Sequence, residues 1–573
     1  KTLFEMSAFN ANQPQPSFRK VFIAIGFIWL AVFLIAETGY PNLSDNERRI
    51  GAYVLDAVHN GHWFVQRDTM NEVASKPPLL TWMAALITLV CGKLTEFAMH
   101  FPSALATLGA AWLLLGIGWK RFGWLAGLLA ALMYLLSPMG DKQVFTARYD
   151  GLFALPVTWA AFAAFEAWTG RGRWTTFWFA CAIATMVKGP LGILLGAIGL
   201  LAAIWEWRSG NPLRPRGNHL PGLLLYFAIC GVWFGLAYLQ MGKPLVDKMI
   251  GRELVGHSFS ADQGGGSGAF WDPFFNVFVY FLPWSFISIV ALWRVVRNPS
   301  ADLETRRLER FLFCWFVVGL VMFAISPHQR GRLIFPLVPA VALLTGRELA
   351  RWLAAVPTKK ILRIATIVAI TTLGFLTVYH HYLLRNAQQI KDTLILRSMA
   401  EEVRTTVGEQ FPLTYVDAPF TLEFYLNTYR PWVSTNAAAD LLRGDAAAFI
   451  ALRDPEDFKQ AAESHGGPIN LFILRSEGVK NGHNVTLISN HPKLEWTPHM
   501  AAIIGPVLLH MDDVKLVQAR GIDFIFEQDP KGGGSTTFSN MTDTAQPVRV
   551  RYTGGEARVV PEHVLQPGET WKP

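Results

Sequence analysis

Twelve apolar stretches, separated by short polar connections, fill the first two thirds of this 573-residue sequence. A helix that crosses the ~30 Å hydrocarbon core of a bilayer needs about twenty mostly apolar residues. The stretches and their flanks meet this requirement, so the sequence predicts a polytopic α-helical membrane protein. They centre on Val21–Ala36, Leu79–Val90, Phe101–Trp119, Trp124–Leu136, Leu152–Trp168, Trp174–Val187, Leu191–Trp205, Leu220–Leu239, Pro273–Trp293, Phe311–Ser326, Leu333–Leu349 and Ile361–Leu384.

The overall composition agrees with a membrane protein. Charged residues make up 16% of the chain and apolar residues 51%, whereas roughly 25% of the residues in a soluble domain are charged. This composition excludes a disordered, collagen-like or disulfide-stapled chain. The four cysteines have no CxxC spacing, which argues against a zinc knuckle or a redox motif.

Net charge and the pattern of apolar residues both change after residue 384. The net charge is +8, but residues 385–573 contain 18 basic and 23 acidic residues, so the excess of positive charge lies in residues 1–384. The first part is therefore predicted to be the transmembrane domain. In the second part, one helical pattern at Leu394–Val407 is followed by short β-rich runs, which predict an external soluble α/β domain with a β-hairpin tail.

The distribution of basic loops orients the helices, because cytoplasmic loops are rich in Lys and Arg. Basic clusters around Arg171, Arg208, Arg306 and Lys359 fall in alternate connections. The intervening connections, the first loop (residues 37–78) and everything after residue 384 are then external. An even number of crossings must join two external points, but only three apolar stretches lie between residues 78 and 150. Either one of these three stretches does not span the membrane, or a short extra crossing lies within Met139–Tyr149. We predict the extra crossing, which gives about thirteen transmembrane helices.

The predicted external face carries many ionisable residues. Singly, each has an ordinary explanation, such as a helix cap for Asp45, a lipid headgroup contact for Lys76, or a local ion pair between Asp150 and Arg148. Together, carboxylates and cations on one face of a membrane body are costly and usually functional, and they suit an anionic lipid-linked substrate. The candidates are Asp45, Glu47, Arg48, Lys76, Arg148, Asp150, Lys188, Arg252, His257, Arg330 and Arg332.

Several of these residues lie in recognisable motifs. The first loop has Asp45 and Arg48, then a Gly61-His62-Trp63 turn, then Lys76-Pro77-Pro78 before the next helix. Later connections have Lys188-Gly189, Leu282-Pro283-Trp284 and a basic helix start at Arg332–Pro339. Over about the first 350 residues, this pattern resembles the C-type glycosyltransferases (GT-C) that use polyprenyl-phosphate sugars, such as protein O-mannosyltransferases and lipid A aminoarabinose transferases. Ser75 stands where the aminoarabinose enzymes carry a glutamate, so the resemblance leaves the sugar open.

The resemblance implies an enzyme with a GT-C-like membrane domain. It would move a sugar from a polyprenyl (undecaprenyl) monophosphate carrier to an external acceptor, either lipid A, another glycolipid or a protein, with inversion at the anomeric carbon. It would lie in a bacterial inner membrane, with residues 385–573 in the periplasm.

The resemblance also implies roles for the candidate residues. Cations must stabilise the charge that builds on the departing phosphate. Lys76 is the first choice, and the supporting cations are Arg48, Arg148, Lys188, Arg252, Arg330 and Arg332. An acceptor hydroxyl needs a base, for which Asp45 is the first choice and Glu47 the second, with Asp150 as a further catalytic carboxylate. His257 and a carboxylate would hold a divalent metal, the one cofactor considered, although a third ligand cannot be named.

Two other classes of protein share some of these features. A transporter or lipid flippase also has about twelve helices, but the sequence has no inverted repeat and no paired charges at the predicted mid-membrane level. A membrane anchor for the C-terminal domain would not need so many spans. A glycosyltransferase is therefore the leading prediction, and a transporter or flippase is the alternative.

Overall fold

The structure, a computed structural model, divides into two compact units. The first comprises residues 1–43, 56–66 and 73–385, and the second comprises residues 44–55, 67–72 and 386–573. Two segments of the predicted first loop are thus part of the second unit. The structure describes residues 15–41, 43, 45–256, 269–326, 331–407, 413–444, 448–469, 471–477, 485–490, 507–511, 514–518, 523–526, 536–540, 545–552, 558–566 and 569–571.

The first unit is built from helices, most of which are long and apolar. Within the described ranges, eight helices are long and apolar enough to cross a membrane, and up to ten segments qualify if each of two bent helix pairs is one span. The chain is a multi-pass membrane protein. The eight helices are Phe18–Glu37, Glu96–Phe122, Tyr149–Trp168, Leu191–Arg208, Leu220–Met241, Leu303–Ile325, Leu333–Trp352 and Thr358–Asn386.

The remaining apolar segments are bent or short. Trp124–Leu136 and Pro138–Val144 meet at 64°, and Asp272–Tyr280 and Ser285–Arg297 meet at 118°. Shorter helices span Leu79–Cys91 and Trp174–Lys188. Every one of the twelve predicted apolar stretches therefore coincides with helical structure. Three further helical segments connect them at Asp45–His59, Lys243–Val246 and Asp247–Gly256.

A thirteenth crossing is not confirmed. The stretch predicted to contain it forms the helix Pro138–Val144, which has seven residues. At 1.5 Å per residue, such a helix extends only ~10 Å, well short of the hydrocarbon thickness. Its first turn is fixed by Ser137, whose hydroxyl accepts a hydrogen bond from the Gly140 backbone N–H at 3.1 Å. This segment is the second arm of a broken helix.

The helices Glu96–Phe122 and Trp124–Leu136 pack backbone against backbone. A Cβ atom on Gly118 would lie 2.5 Å from the Cα of Gly127, and a Cβ on Gly127 would lie 2.5 Å from the Leu115 carbonyl oxygen. Water cannot drive helices together inside a bilayer, so close approach at small residues is a main source of helix association there. The two glycines therefore allow a contact that any side chain would prevent.

The second unit combines helices with three β-sheets. A four-stranded sheet has the order β1-β2-β4-β3, with β1 parallel to β2 and the other pairs antiparallel. Its inner face contributes Ile450, Leu452 and Ile488 to a core shared with Leu442 and Phe458. The four strands are β1 (Leu413–Tyr415), β2 (Phe449–Leu452), β3 (Phe472–Glu477) and β4 (Val485–Ser489). The helices are Gln388–Val407, Phe420–Leu426, Thr435–Arg443 and Pro455–Gly466.

The later strands form two more sheets, with orders β10-β9-β7 and β11-β8-β5-β6. Strands β9 and β10 pair antiparallel, with Arg558 opposite Tyr552, as the predicted hairpin requires. The strands are β5 (Val507–Met511), β6 (Val514–Gln518), β7 (Asp523–Phe526), β8 (Thr536–Asn540), β9 (Gln546–Tyr552), β10 (Arg558–Leu565) and β11 (Thr570–Trp571).

The glycine contact leads to a stability prediction. Gly127→Ala should lower the free energy of unfolding by ~1–3 kcal/mol, because the new methyl group meets backbone atoms that must move apart. Gly116→Ala is the matched control in the neighbouring helix, since a Cβ there would meet no atom within 4 Å. Thermal unfolding of the detergent-purified protein, followed by tryptophan fluorescence, compares the two. Equal melting temperatures for the two variants would contradict the backbone contact.

Candidate active site

A cavity of about 270 Å³ lies in the first unit and is lined by two lysines within mostly apolar walls. Lys76 approaches it from the segment before the Leu79–Cys91 helix, and Lys188 from the end of the Trp174–Lys188 helix. Both were predicted as donor-phosphate residues, and the structure brings them to one cavity. The other lining residues are Ser75, Pro77, Thr185, Gly189, Pro190, Tyr226, Phe227, Cys230, Gly231, Phe234, Met249 and Ile250.

The segment that carries Lys76 is held by buried polar contacts. The side chain of Gln66 is buried, and its amide donates hydrogen bonds to the carbonyl oxygens of His62 at 2.9 Å and Trp63 at 2.6 Å. The Trp82 indole N–H donates to the same Trp63 carbonyl at 2.5 Å. The Gln66 carbonyl in turn accepts from the Ala74 N–H at 2.9 Å. The Gly61-His62-Trp63 turn therefore anchors the approach to Lys76.

Lys188 is fixed by a buried ion pair with Asp150. Asp150 is 3% exposed and stands in the first turn of the Tyr149–Trp168 helix, and Lys188 stands in the last turn of its own helix. Helix dipoles favour a carboxylate at an N-terminus and a cation at a C-terminus, so both charges occupy favourable ends. The lysine nitrogen also lies 5.7 Å from the centroid of the Phe153 ring.

A turn at Gly189 ends the helix that carries Lys188, and both residues line the cavity. Gly189 has φ +93°, a conformation that glycine adopts without strain. Its N–H bonds back to the Thr185 carbonyl at 2.8 Å. One turn before Lys188, the Thr185 hydroxyl lies 3.2 Å from the Tyr226 hydroxyl, and both residues line the same cavity.

A buried carboxylate that sequence analysis missed lies near the first-loop turn. Asp56 is fully buried, and its Oδ1 lies 2.9 Å from His62 Nδ1 and 2.8 Å from Asn60 Nδ2. The His62 side chain is about half exposed, so the carboxylate orients a ring that reaches solvent. The available sequence signal was proximity, since Asp56 is the nearest carboxylate that precedes His62 in the chain.

The first-loop candidates Glu47 and Arg48 belong to the second unit and are buried there. The Arg48 guanidinium donates to the Thr421 hydroxyl at 3.4 Å and to the Tyr425 hydroxyl at 3.3 Å, both on the Phe420–Leu426 helix. These contacts tie the loop to the C-terminal part of the chain. The roles predicted for Glu47 and Arg48 stay predictions, as does that of Asp45, whose side chain lies outside the described part.

Arg49, next in the chain, is held in the same unit by two carboxylates. Its guanidinium contacts Asp68 at 2.5 Å and Glu72 at 2.6 Å. Burial alone would lower the pKa of Arg49, but the electrostatic influence of Tyr53 and Asp68 and the hydrogen bonds to the two carboxylates raise the pKa above its ordinary value. This arginine is therefore a permanent charge that stabilises the loop.

The other predicted residues are placed less completely. The Arg148 carbonyl accepts a hydrogen bond from the Ser103 hydroxyl at 2.7 Å at the start of the Asp150 helix. Arg252 is exposed, two residues beyond Ile250 of the cavity wall. His257, Arg330 and the Arg332 side chain lie outside the described residues, so their predicted roles are untested.

In the part of the chain that is described, no group of three or more His, Cys, Asp or Glu residues is placed to hold a metal ion.

The cavity has the features of a site for an amphiphilic phosphate. Two ammonium groups can donate hydrogen bonds to a phosphate, and apolar walls strengthen that attraction by excluding water. Because Asp150 balances Lys188, the two lysines and the aspartate together carry a net charge of +1. Phe227, Phe234 and Met249 provide apolar surface for a hydrocarbon chain beside it.

Comparison with known proteins identifies related sequences. Residues 75–239 match the family model described as dolichyl-phosphate-mannose-protein mannosyltransferase. An undecaprenyl phosphate-alpha-4-amino-4-deoxy-L-arabinose arabinosyl transferase of Proteus mirabilis is 25% identical over 353 residues, which are 56% of this chain and 59% of the relative. A transferase of the same name from Pseudomonas fluorescens is 24% identical over 54% of each chain. The chain thus spans between half and three fifths of the length of these relatives.

Solved structures share the fold. ArnT from Cupriavidus metallidurans, in a crystal structure with undecaprenyl phosphate bound, superposes with a TM-score of 0.61 at 18% identity. The match covers 82% of this chain and 97% of that one. The apo crystal structure of the same protein gives a TM-score of 0.60. The solved structures thus show that the fold is shared, and the matched family model and the arabinosyl transferase relatives confirm the resemblance that the motifs predicted.

The buried ion pair gives a second prediction. Asp150→Asn should lower the free energy of unfolding by ~3–5 kcal/mol, because it leaves the Lys188 charge buried without its carboxylate. The double variant Asp150→Asn with Lys188→Met should recover most of that loss, since it removes both charges. Chemical unfolding of the purified protein measures both effects. Glu401→Gln is the control, because it breaks an exposed ion pair with Arg397 and should cost less than ~1 kcal/mol. A double variant no more stable than Asp150→Asn would refute the pairing.

Proposed function

We propose that this chain, which resembles the C-type glycosyltransferases, transfers a sugar from a polyprenyl monophosphate to an acceptor outside the cytoplasm. The single observation that supports this most strongly is the cavity with Lys76 and Lys188 in otherwise apolar walls. The carrier phosphate would bind the two ammonium groups, and the first isoprene units would contact the apolar wall. Undecaprenyl phosphate is the proposed carrier, because it is named for the arabinosyl transferase relatives and is bound in the ArnT structure.

The proposed reaction is a single displacement. The bond between the anomeric carbon and the phosphate oxygen breaks, and a bond from an acceptor oxygen to that carbon forms on the opposite face, so the configuration inverts. Lys76 stabilises the charge that develops on the departing phosphate. Lys188, whose ammonium group is held in place by Asp150, would help Lys76 to stabilise this charge. An acceptor hydroxyl would give its proton to a carboxylate, with Asp45 proposed as that base and Glu47 as the second choice.

We also propose the setting of this reaction. The arginine-rich loops would face the cytoplasm of a bacterial cell, following the positive-inside pattern. Residues 385–573 would then form a soluble periplasmic domain, and the membrane would be the inner one. Nucleotide sugars are cytoplasmic, so a lipid carrier would have to bring the sugar to this side. The proposed acceptor classes are lipid A or another glycolipid, and protein.

The cavity lysine provides the main test of function. Lys76→Ala should reduce sugar transfer by ~10²–10³-fold, because one preorganised charge is lost from the transition state. The assay uses membranes supplied with undecaprenyl-phosphate sugars labelled in the sugar, and it measures both labelled acceptor and free undecaprenyl phosphate. Lys93→Ala, at an exposed lysine after the Leu79–Cys91 helix, is the matched control and should retain full activity. Equal activity of the two variants would contradict a phosphate site at Lys76.

The same assay separates a transferase from a transporter or flippase. A transferase separates the label from its carrier, whereas a flippase moves the labelled lipid across the membrane with the sugar-phosphate bond intact. Label that crosses the bilayer and stays on undecaprenyl phosphate would overturn the proposed function.

The proposed base has its own test. Asp45→Asn should lower transfer to a hydroxyl acceptor by ~10²–10⁴-fold, the usual contribution of general base catalysis, with unchanged binding of undecaprenyl phosphate. Glu47→Gln should have a smaller effect on turnover. A larger loss of turnover in Glu47→Gln, in a variant that still binds the carrier, would reverse the two assignments. Full turnover in both variants would remove the carboxylates from the mechanism.

A further inference from the structure

A buried glutamate in the first unit is surrounded by three arginines. Glu206 is fully buried near the end of the Leu191–Arg208 helix. Arg310 Nη1 donates to its Oε1 at 2.6 Å, and the Nε atoms of Arg306 and Arg307 lie 3.8 Å from its two carboxylate oxygens. Arg310 also donates to the Ser209 hydroxyl at 3.0 Å. The four charged side chains, called here the Glu206 cluster, carry a net charge of +2.

The neighbouring carboxylates Glu304 and Glu309 make their described ion pairs with arginines outside the cluster. Glu304 pairs with Arg121 and Arg171, and Glu309 pairs with Arg347. Glu309 also accepts the Ser300 N–H at 3.0 Å. Asp302 caps the Leu303–Ile325 helix by accepting from the backbone N–H of Thr305 at 2.8 Å. Among the residues that the structure describes, Arg306 and Arg307 therefore share one carboxylate, Glu206, as their ion-pair partner.

Arg306 and Arg307 have more donor groups than their described contacts use. Their side chains are 20% and 16% exposed, and each makes one ion pair at 3.8 Å. The buried Nε of each has no hydrogen-bond partner among the residues that the structure describes. A guanidinium has five N–H donors, and a largely buried charge with few partners is destabilising. An anion at the protein surface would satisfy both side chains.

The position of the cluster identifies the anion. The Leu191–Arg208 helix begins three residues after Lys188 and extends ~27 Å at 1.5 Å per residue, about the hydrocarbon thickness. If this helix crosses the bilayer from the cavity end, the Glu206 cluster near its other end is expected at the opposite membrane face, at headgroup level. The same helix presents Leu201, Ile204 and Trp207 as exposed apolar side chains, which are 40%, 50% and 64% exposed. Acyl chains would cover these residues while their headgroup meets the arginines.

We propose that Arg306 and Arg307 bind the phosphate of an anionic phospholipid, with Glu206 holding the arginine side chains in place. Basic pockets between transmembrane helices are the general means by which proteins hold such headgroups. Arginine suits the task because its planar donors bind two phosphate oxygens at once. The site is separate from the lysine cavity, so it does not depend on the proposed reaction.

The test uses the full chain and defined lipids. Native mass spectrometry of the detergent-purified protein measures binding of phosphatidylglycerol, with phosphatidylcholine as the neutral comparison and inorganic phosphate as a separate arm. Arg306→Gln with Arg307→Gln should weaken phosphatidylglycerol binding at least 10-fold and leave phosphatidylcholine unchanged. Arg208→Gln with Arg297→Gln removes the same charge from exposed positions and should change binding less than twofold.

Several outcomes would overturn the proposal. An equal loss in both double variants would mean that general surface charge attracts the lipid. Full competition by millimolar inorganic phosphate would indicate a free phosphate site, and equal binding of the two lipids would indicate a purely structural cluster. If the double variant does not fold, Arg306→Lys provides the test, because it keeps the charge but loses the bidentate contact. Its phosphatidylglycerol binding should then fall severalfold, and unchanged binding would refute the proposed geometry.

Discussion

The buried ion pair between Lys188 and Asp150 is the interaction on which the candidate site depends. A lone ammonium in an apolar membrane body loses its hydration, and only a nearby carboxylate returns part of that energy. The pair joins the end of one helix to the start of the helix before it, where both helix dipoles favour the charges. The Gly189 turn then starts the return crossing. The lysine is therefore both a packing element and a fixed positive charge at the cavity, and its ion pair with Asp150 explains how a mostly apolar wall can hold a cation.

Much of the membrane fold could be predicted because hydropathy is a local property. Each apolar stretch became helical, and β-rich runs such as Val485–Ser489 became strands at the predicted residues. The predicted count of thirteen crossings is not confirmed. The stretch predicted to hold the extra crossing forms the short helix Pro138–Val144, which meets Trp124–Leu136 at 64°. The break between these two helices depends on packing and on the Ser137 cap, and neither has a hydropathy signal.

The candidate site was predictable as a set of residues but not as a set of partners. The topology predicted from the sequence placed Lys76 and Lys188 on the external face, and in the structure both lysines line one cavity. The contacts of Arg48 with Thr421 and Tyr425 join segments more than 370 residues apart, which no motif or period connects. Asp56 escaped notice because it occurs within an amphipathic helix, where a polar residue normally indicates a solvated face. Burial, which only the fold determines, separates such a residue from its exposed neighbours.

The two ends of the Leu191–Arg208 helix show how charge is divided in this membrane body. Near its start, one lysine is balanced by one aspartate, and a second lysine faces the same cavity. Near its end, one glutamate faces three arginines, and the nearby carboxylates are paired with other arginines. A largely buried charge with few partners destabilises a fold, which is why we propose a structural lipid phosphate at the arginines near the end of this helix. Near its start, Lys188 is already balanced by Asp150, and the cavity that Lys188 shares with Lys76 is where we propose the phosphate of the substrate.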